Sequence, residues 1–382
     1  DLYIEFENHP EYTQSLLSIV KNENENILVQ VLACAILTNV RDVVRLSTSW
    51  DDEGDTASEL NKILVPVLMK ALDYDIQEAA AHTITAVQSG RMHLHKETSD
   101  ITPKPKQPLT NEEIFVQGVE DKLSIIQLAL ELLADICVQD DESEEKEDGY
   151  QDEAMMDDDD APTVSQNIVL THQRTLECLN NFLLAMNDIP GKYWFKTHRT
   201  DAVQLWRWLF TIADQVANSN PEEWARNAIL EAVIGCLWAL GRGLEQDIPL
   251  EPTDVGALCG TYEMIPLETM RVKIVGCLGP IAMRKNDIET NKVIGVFVMK
   301  LLSEKKYSSP AVIVEALNLV YDVYSDCAFD YDYPVFIQGD FLNALRQAVS
   351  SVRSMVKAID RRRDFDLRMR ADEALENLNA FI

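Results

Sequence analysis

Apolar residues in this chain recur at helical spacing in blocks, and the blocks themselves recur. The most apolar are Ile27–Val40, Asp75–Val87, Asp121–Val138, Glu222–Leu240, Pro266–Met283, Pro310–Tyr324 and Asp364–Ile382, and most follow one another at roughly 40 to 50 residues. The last shows the pattern well, with Leu367, Ala371, Ala374, Leu375, Leu378 and Phe381 along one helical face. Weaker helical segments lie between them; Ala57–Leu72 stands a few residues before Asp75–Gln88, the layout of an antiparallel helical hairpin. A hairpin of this size cannot bury its own apolar face and must stack on its neighbours. Alternating runs are few, and no tight turn joins β-branched segments. The pattern predicts an all-α fold, an α-solenoid of HEAT/armadillo-like helical repeats, with a compact irregular all-α domain as the alternative.

The chain divides into three regions. Residues 1–138 form a first group of helical repeats, interrupted by a linker over 89–107 whose Pro103 and Pro105, followed by Pro108, forbid regular helix. Residues 139–162 are an acidic insert, and residues 163–382 are a second group of repeats. Within the second group, Asn187–Gly191 is a stop signal, and Asn220-Pro221 supplies an N-cap followed by a first-turn proline. Pro280 predicts a kink or an early end to its helix.

The insert sets the charge of the molecule. Gln139 to Asp160 holds thirteen acidic residues against one basic residue, Lys146. Like charges at this density cannot enter a core. The insert accounts for -12 of a formal net charge of -30. A nucleic acid or an anionic membrane needs a cationic footprint, so this balance argues against both and favours a basic protein partner. A purely solubilising role for the insert is the plainer reading. No apolar run reaches eighteen residues, which argues against a membrane span.

Nothing in the sequence points to catalysis or to a cofactor. Phosphate-loop, dinucleotide, zinc-protease and nucleophile-elbow motifs are absent. His93 and His95 have no carboxylate or cysteine at ligand spacing, and the Asp157–Asp160 run lacks the spaced ligands and glycine turn of a calcium loop, so no metal site is expected. The seven cysteines are odd in number and widely spaced, and read as reduced thiols of an intracellular protein. The start at Asp1-Leu2-Tyr3, without an initiator methionine, reads as a point inside a longer chain.

One aromatic cluster stands out. Gly191–Thr200 places Tyr193, Trp194 and Phe195 between Lys192 and Lys196, and Trp206, Trp208, Trp224 and Trp238 follow. Most should fill seams between stacked helices. Trp194, in a turn beside two lysines, is the best candidate for an exposed contact.

The acidic insert among helical repeats, closed by Arg361-Arg362-Arg363 and the segment ending at Ile382, resembles the symportin family. That resemblance implies a non-enzymatic transport adaptor and dedicated chaperone that binds the basic ribosomal proteins L5 and L11 for nuclear import and 5S ribonucleoprotein assembly. It implies shuttling between cytoplasm and nucleus and contact with 5S rRNA only through the cargo. It also implies an import receptor engaged through an N-terminal region outside this sequence. The family's acidic-loop role would fall on Asp140, Asp141, Glu142, Glu144, Glu145, Glu147, Asp148, Asp152, Glu153, Asp157, Asp158, Asp159 and Asp160, with Tyr150, Met155 and Met156 as apolar anchors. The alternatives are a general HEAT-class transport receptor for basic peptides and a scaffold subunit of a larger complex.

Overall fold

The computed structural model describes residues 2–41, 56–88, 110–138, 164–219, 221–303 and 309–382. Among the described residues the regular elements are helical and no strand occurs, so the fold is the all-α array of stacked helices that the periodicity predicts. The expected linker over 89–107 and the acidic insert over 139–162 lie outside the described residues. The chain forms two compact units, Asp1–Phe182 and Leu183–Ile382.

The first unit contains α1 (Leu2–Asn8), α2 (Pro10–Lys21), α3 (Ile27–Asn39), α4 (Thr56–Ala71), α5 (Ile76–Gln88), α6 (Asn111–Val138) and the first part of α7 (Val164–Asp188). Its core is built where α2, α3, α4 and α6 meet, with Val20, Leu37, Leu64, Leu68 and Leu132 buried together. Local chemistry sets the joints. Asn26 caps α3 by accepting from the Leu28 amide at 2.9 Å. The buried Gln30 amide donates to the carbonyls of Val20 (3.0 Å) and Asn22 (2.9 Å), which closes the end of α2.

Helix α6 begins ten residues before the apolar pattern that predicted it at Asp121. The cause is a capping box. The Thr110 amide donates to Glu113 Oε2 at 2.7 Å, and the Glu113 amide donates to Thr110 Oγ1 at 3.2 Å. Thr110 and Glu113 carry that signal in the sequence without any help from hydrophobicity.

The second unit is a two-layer stack. One layer is α10 (Glu223–Leu244), α12 (Glu268–Ala282), α14 (Pro310–Tyr324) and α16 (Phe365–Phe381), each packed on the next. The other contains α9 (Arg199–Ser219), α11 (Asp254–Met264), α13 (Ile288–Ser303) and α15 (Phe341–Ala358). Each of these precedes its partner and packs on it as a hairpin, α9 on α10 through α15 on α16. The starts at Glu223, Glu268, Pro310 and Phe365 reproduce the spacing read from the sequence. Helix α12 ends two residues beyond Pro280.

Helices α10 and α12 are apolar nearly all round because they are enclosed on several sides. Their close approach needs a glycine. A Cβ on Gly276 would lie 2.5 Å from the Trp238 ring, so the indole rests on bare backbone.

The loops at one end of this layer are tied in series. Lys192 Nζ donates to the Arg242 carbonyl and to Glu245 Oε1 (2.6 Å). Gln246 donates to the Met283 carbonyl (2.9 Å) and accepts from the Lys285 amide (2.7 Å). The Asn286 amide donates to Asp330 Oδ2 at 2.7 Å. Each loop therefore bonds to the loop of the following hairpin. Lys192, Glu245 and Asn286 all have positive φ, which turns the chain sharply at the end of a helix.

A buried polar node locks the middle of the stack. Asn291 is fully buried; its Nδ2 donates to the Ala282 carbonyl at 2.8 Å and its Oδ1 accepts from the Tyr324 hydroxyl at 2.9 Å. One side chain thus joins α12, α13 and α14. Replacing Asn291 with Leu strands both partners, and urea unfolding of the chain should show a loss of about 2–4 kcal/mol. Tyr324→Phe removes one bond and should cost about 1 kcal/mol.

Candidate protein-binding surface

The aromatic cluster does not lie in a turn. Gly191 (φ 73) and Lys192 (φ 50) reverse the chain, and Tyr193–Thr197 then forms a short helix, α8. Phe195 points inward so closely that a Cβ on Gly243 would meet its ring at 2.1 Å. Trp194, expected to be exposed, is half-buried. It meets Phe195 edge-on at 5.1 Å and stacks on His198 at 5.2 Å. Its neighbour Tyr193 is the open one, at 68% exposure.

Along α9 the split follows helical period. Ala202, Trp206 and Leu209 are buried on one face. Asp201, Gln204, Leu205 and Trp208 line a shallow open depression on another, with Trp208 51% exposed. The spacing of Ala202, Trp206 and Leu209 carries this assignment in the sequence, and it singles out Trp208 rather than Trp194. Trp224, at the start of α10, is also exposed, and its indole N–H donates to Glu222 Oε2 at 2.6 Å.

The layer of α10, α12, α14 and α16 presents charges of both signs. Glu231 on α10 accepts from Lys273 on α12 at 2.9 Å. Glu315 on α14 lies 3.7 Å from Arg370 on α16. Arg242 on α10 acts electrostatically on Glu315 and Asp322 of α14, reaching across α12. Trp224, exposed on the same helix as Glu231, adds aromatic area to this fixed order of charges.

The acidic tract from Asp140 to Asp160, with Tyr150, Met155 and Met156, lies outside the described residues. All seven cysteines are free. Burial pushes the thiols of Cys34 up to about 11 and of Cys236 up to about 12, so neither forms an appreciable thiolate near neutral pH. Among the described residues no group of His, Cys, Asp or Glu gathers to hold a metal ion.

A family described as SYO1-like, TPR repeats, matches residues 150–382. Three curated relatives are similar to this chain. The armadillo repeat protein involved in nucleocytoplasmic transport Syo2, from Schizosaccharomyces pombe, is 31% identical over 215 residues, covering 55% of this chain and 32% of that protein. Symportin 1 from Chaetomium thermophilum is 40% identical over 117 residues, covering 31% of this chain and 17% of its own length. Synchronized import protein 1 from Saccharomyces cerevisiae is 30% identical over 164 residues, covering 39% and 26%. The matched part of the chain therefore spans less than a third of each relative's length.

Glu315 gives this face a measurable signature. Its carboxyl is held above the usual range because burial outweighs the attraction of Arg370 and Arg242, with Asp322 adding repulsion. The folded chain thus binds this proton more tightly than the unfolded chain does. Its contribution to stability is complete below about 4.5, the ordinary value, and is lost as the pH rises through the raised folded value. Glu315→Gln should therefore raise Tm at pH 7, with the gain vanishing as the pH falls to about 4. Calorimetry across that range checks it.

Proposed function

The chain belongs to the SYO1-like TPR-repeat family, the symportins, and we propose that it is the cargo-holding part of a nuclear-import adaptor. In this reading its acidic segment and the mixed-charge face of α10–α16 receive a basic ribosomal protein, L5 or L11, and keep it from other polyanions on the way to 5S ribonucleoprotein assembly. The protein shuttles between cytoplasm and nucleus, and a receptor engages another part of the adaptor. The relatives' names support a transport role, because two refer to import or nucleocytoplasmic transport.

The observation that carries the cargo reading is the acidic tract itself. Thirteen acidic residues within twenty-two positions make a dense anionic segment between two helical regions. Ribosomal proteins expose lysine and arginine surfaces that face rRNA in the ribosome. An anionic segment speeds encounter with such a surface and occupies it meanwhile. Tyr150, Met155 and Met156 supply apolar contacts that charge alone lacks. The division of labour is then steering by the tract and registry by the folded face.

Deleting Asp140–Asp160 should weaken binding of purified L11 by about tenfold or more at 50 mM salt, with a gap that narrows towards 0.5 M. Circular dichroism and Tm should change little. Unchanged L11 affinity at physiological salt would remove the tract from the cargo site.

A further inference from the structure

Among the described residues, a positive surface lies on the last hairpin of the second unit. Helix α15 carries Arg346, Arg353 and Lys357 and no acidic residue. Counted through the connection to α16, residues 341–364 hold six basic residues and two acidic ones, Asp360 and Asp364, and Asp366 follows Phe365. The spacing of seven and four residues puts Arg346, Arg353 and Lys357 on one stripe, and all three are exposed. Ser350 and Ser354 are exposed on the same side, and Arg361, Arg362 and Arg363 continue the positive surface into the turn.

Some of this charge has internal employment. Arg361 donates to Asp372 at 3.0 Å, where Arg368 also binds, and Arg346 donates to the Ile382 carbonyl at 3.1 Å. Among the described residues no ion pair engages Arg353, Lys357, Arg362 or Arg363. Asp360 uses a carboxylate oxygen to accept from the Arg362 amide. Beside the turn, Phe365 at the start of α16 is 63% exposed, and Met369 one turn further is exposed as well.

We propose that this surface binds the phosphodiester backbone of single-stranded RNA. Five of the six basic residues are arginine, whose planar fork fits phosphate oxygens two at a time. The Ser350 hydroxyl is a further phosphate donor, whereas that of Ser354 donates to the Ser350 carbonyl at 2.8 Å. Phe365 offers a face for an unstacked base, the pairing of basic groove and aromatic platform that single strands favour. The net charge of -30 does not forbid this, because at physiological salt fields decay within about 8 Å and a strand on α15 senses the local surface. An acidic peptide, including the chain's own tract, would use the arginines but leave the Phe365 platform unexplained.

The test uses the full chain and a fluorescein-labelled 20-nucleotide oligouridylate, read by anisotropy. The chain should bind with Kd of about 1–100 µM at 50 mM salt, weakening as salt rises by about 0.7 log units per log unit for each phosphate engaged. Charge reversal at Arg353, Lys357, Arg362 and Arg363 should weaken binding by about tenfold or more, and Lys21, Lys70 and Lys292 reversed together should change it by less than about twofold. Phe365→Ala should weaken it by about tenfold without changing the salt slope. All variants alter exposed side chains, and circular dichroism verifies their folding. Retained RNA affinity in the fourfold variant would overturn the proposal. So would RNA binding seen only after deletion of Asp140–Asp160, which would make that tract the occupant, or capture of a polyglutamate peptide with no RNA binding.

Discussion

The second unit depends on how closely α10 can approach α12. A bare backbone at Gly276 lets the Trp238 indole lie flat against the neighbouring helix. That contact draws Val233, Leu237 and Leu240 of α10 towards the continuous buried run from Ile274 to Ala282 on α12. Across α12, Arg242 lowers the tendency of Glu315 and Asp322 on α14 to hold their protons. One missing side chain therefore sets the packing of the layer, and charges on its two outer neighbours set the electrostatics of its face. The Asn291 node fixes the next joint by hydrogen bonding, where three helices converge and one amide serves two partners.

Much of this fold was legible in the sequence because stacked hairpins repeat their chemistry. Apolar period located the enclosed helices, and their spacing announced the repeat. What period could not show was helix written in polar residues. The first turns of α6 rest on the Thr110–Glu113 capping box, a signal in hydrogen-bonding groups that hydrophobic patterning ignores. Most of the aromatic cluster fills seams as its composition suggests, with Phe195 and Trp206 buried, but the turn expected around Trp194 is a helix. Residues near Gly191 look like a turn by composition, yet two left-handed residues complete the reversal and release Tyr193–Thr197 into a helix. Trp194 is then held between Phe195 and His198, while Trp208 falls on the outer side of a helix whose inner side is Ala202, Trp206 and Leu209. The mixed charges of the α10–α16 face were not legible at all, since Glu231 and Lys273, or Glu315 and Arg370, meet only through tertiary packing.

Charge in this molecule is sorted rather than balanced. The densest acidic run lies between Gln139 and Asp160, with -12 of the net -30, and a dense basic run follows α15. Overall net charge describes neither region. Where fields decay within about a nanometre, a partner responds to the few residues it faces. A chain with a low isoelectric point can thus carry separate surfaces of opposite local charge, provided that they stand apart in the sequence.

The serial hydrogen bonds among the loops of the second unit have a mechanical meaning. Lys192, Gln246 and Asp330 fasten successive hairpins by hydrogen bonds at one edge, from the loop before α8 to the loop after α14. An array hydrogen-bonded along one margin, and joined towards the other by the longer ion pairs Lys300–Glu263 (3.5 Å) and Arg370–Glu315 (3.7 Å), is stiffer along the bonded margin, like the pages of a bound book. Its softer motion is a fanning of the opposite margin, with the stitched margin as the spine. A guest that fits between the leaves would widen their spacing without breaking a stitch, and the array would close again when it departs.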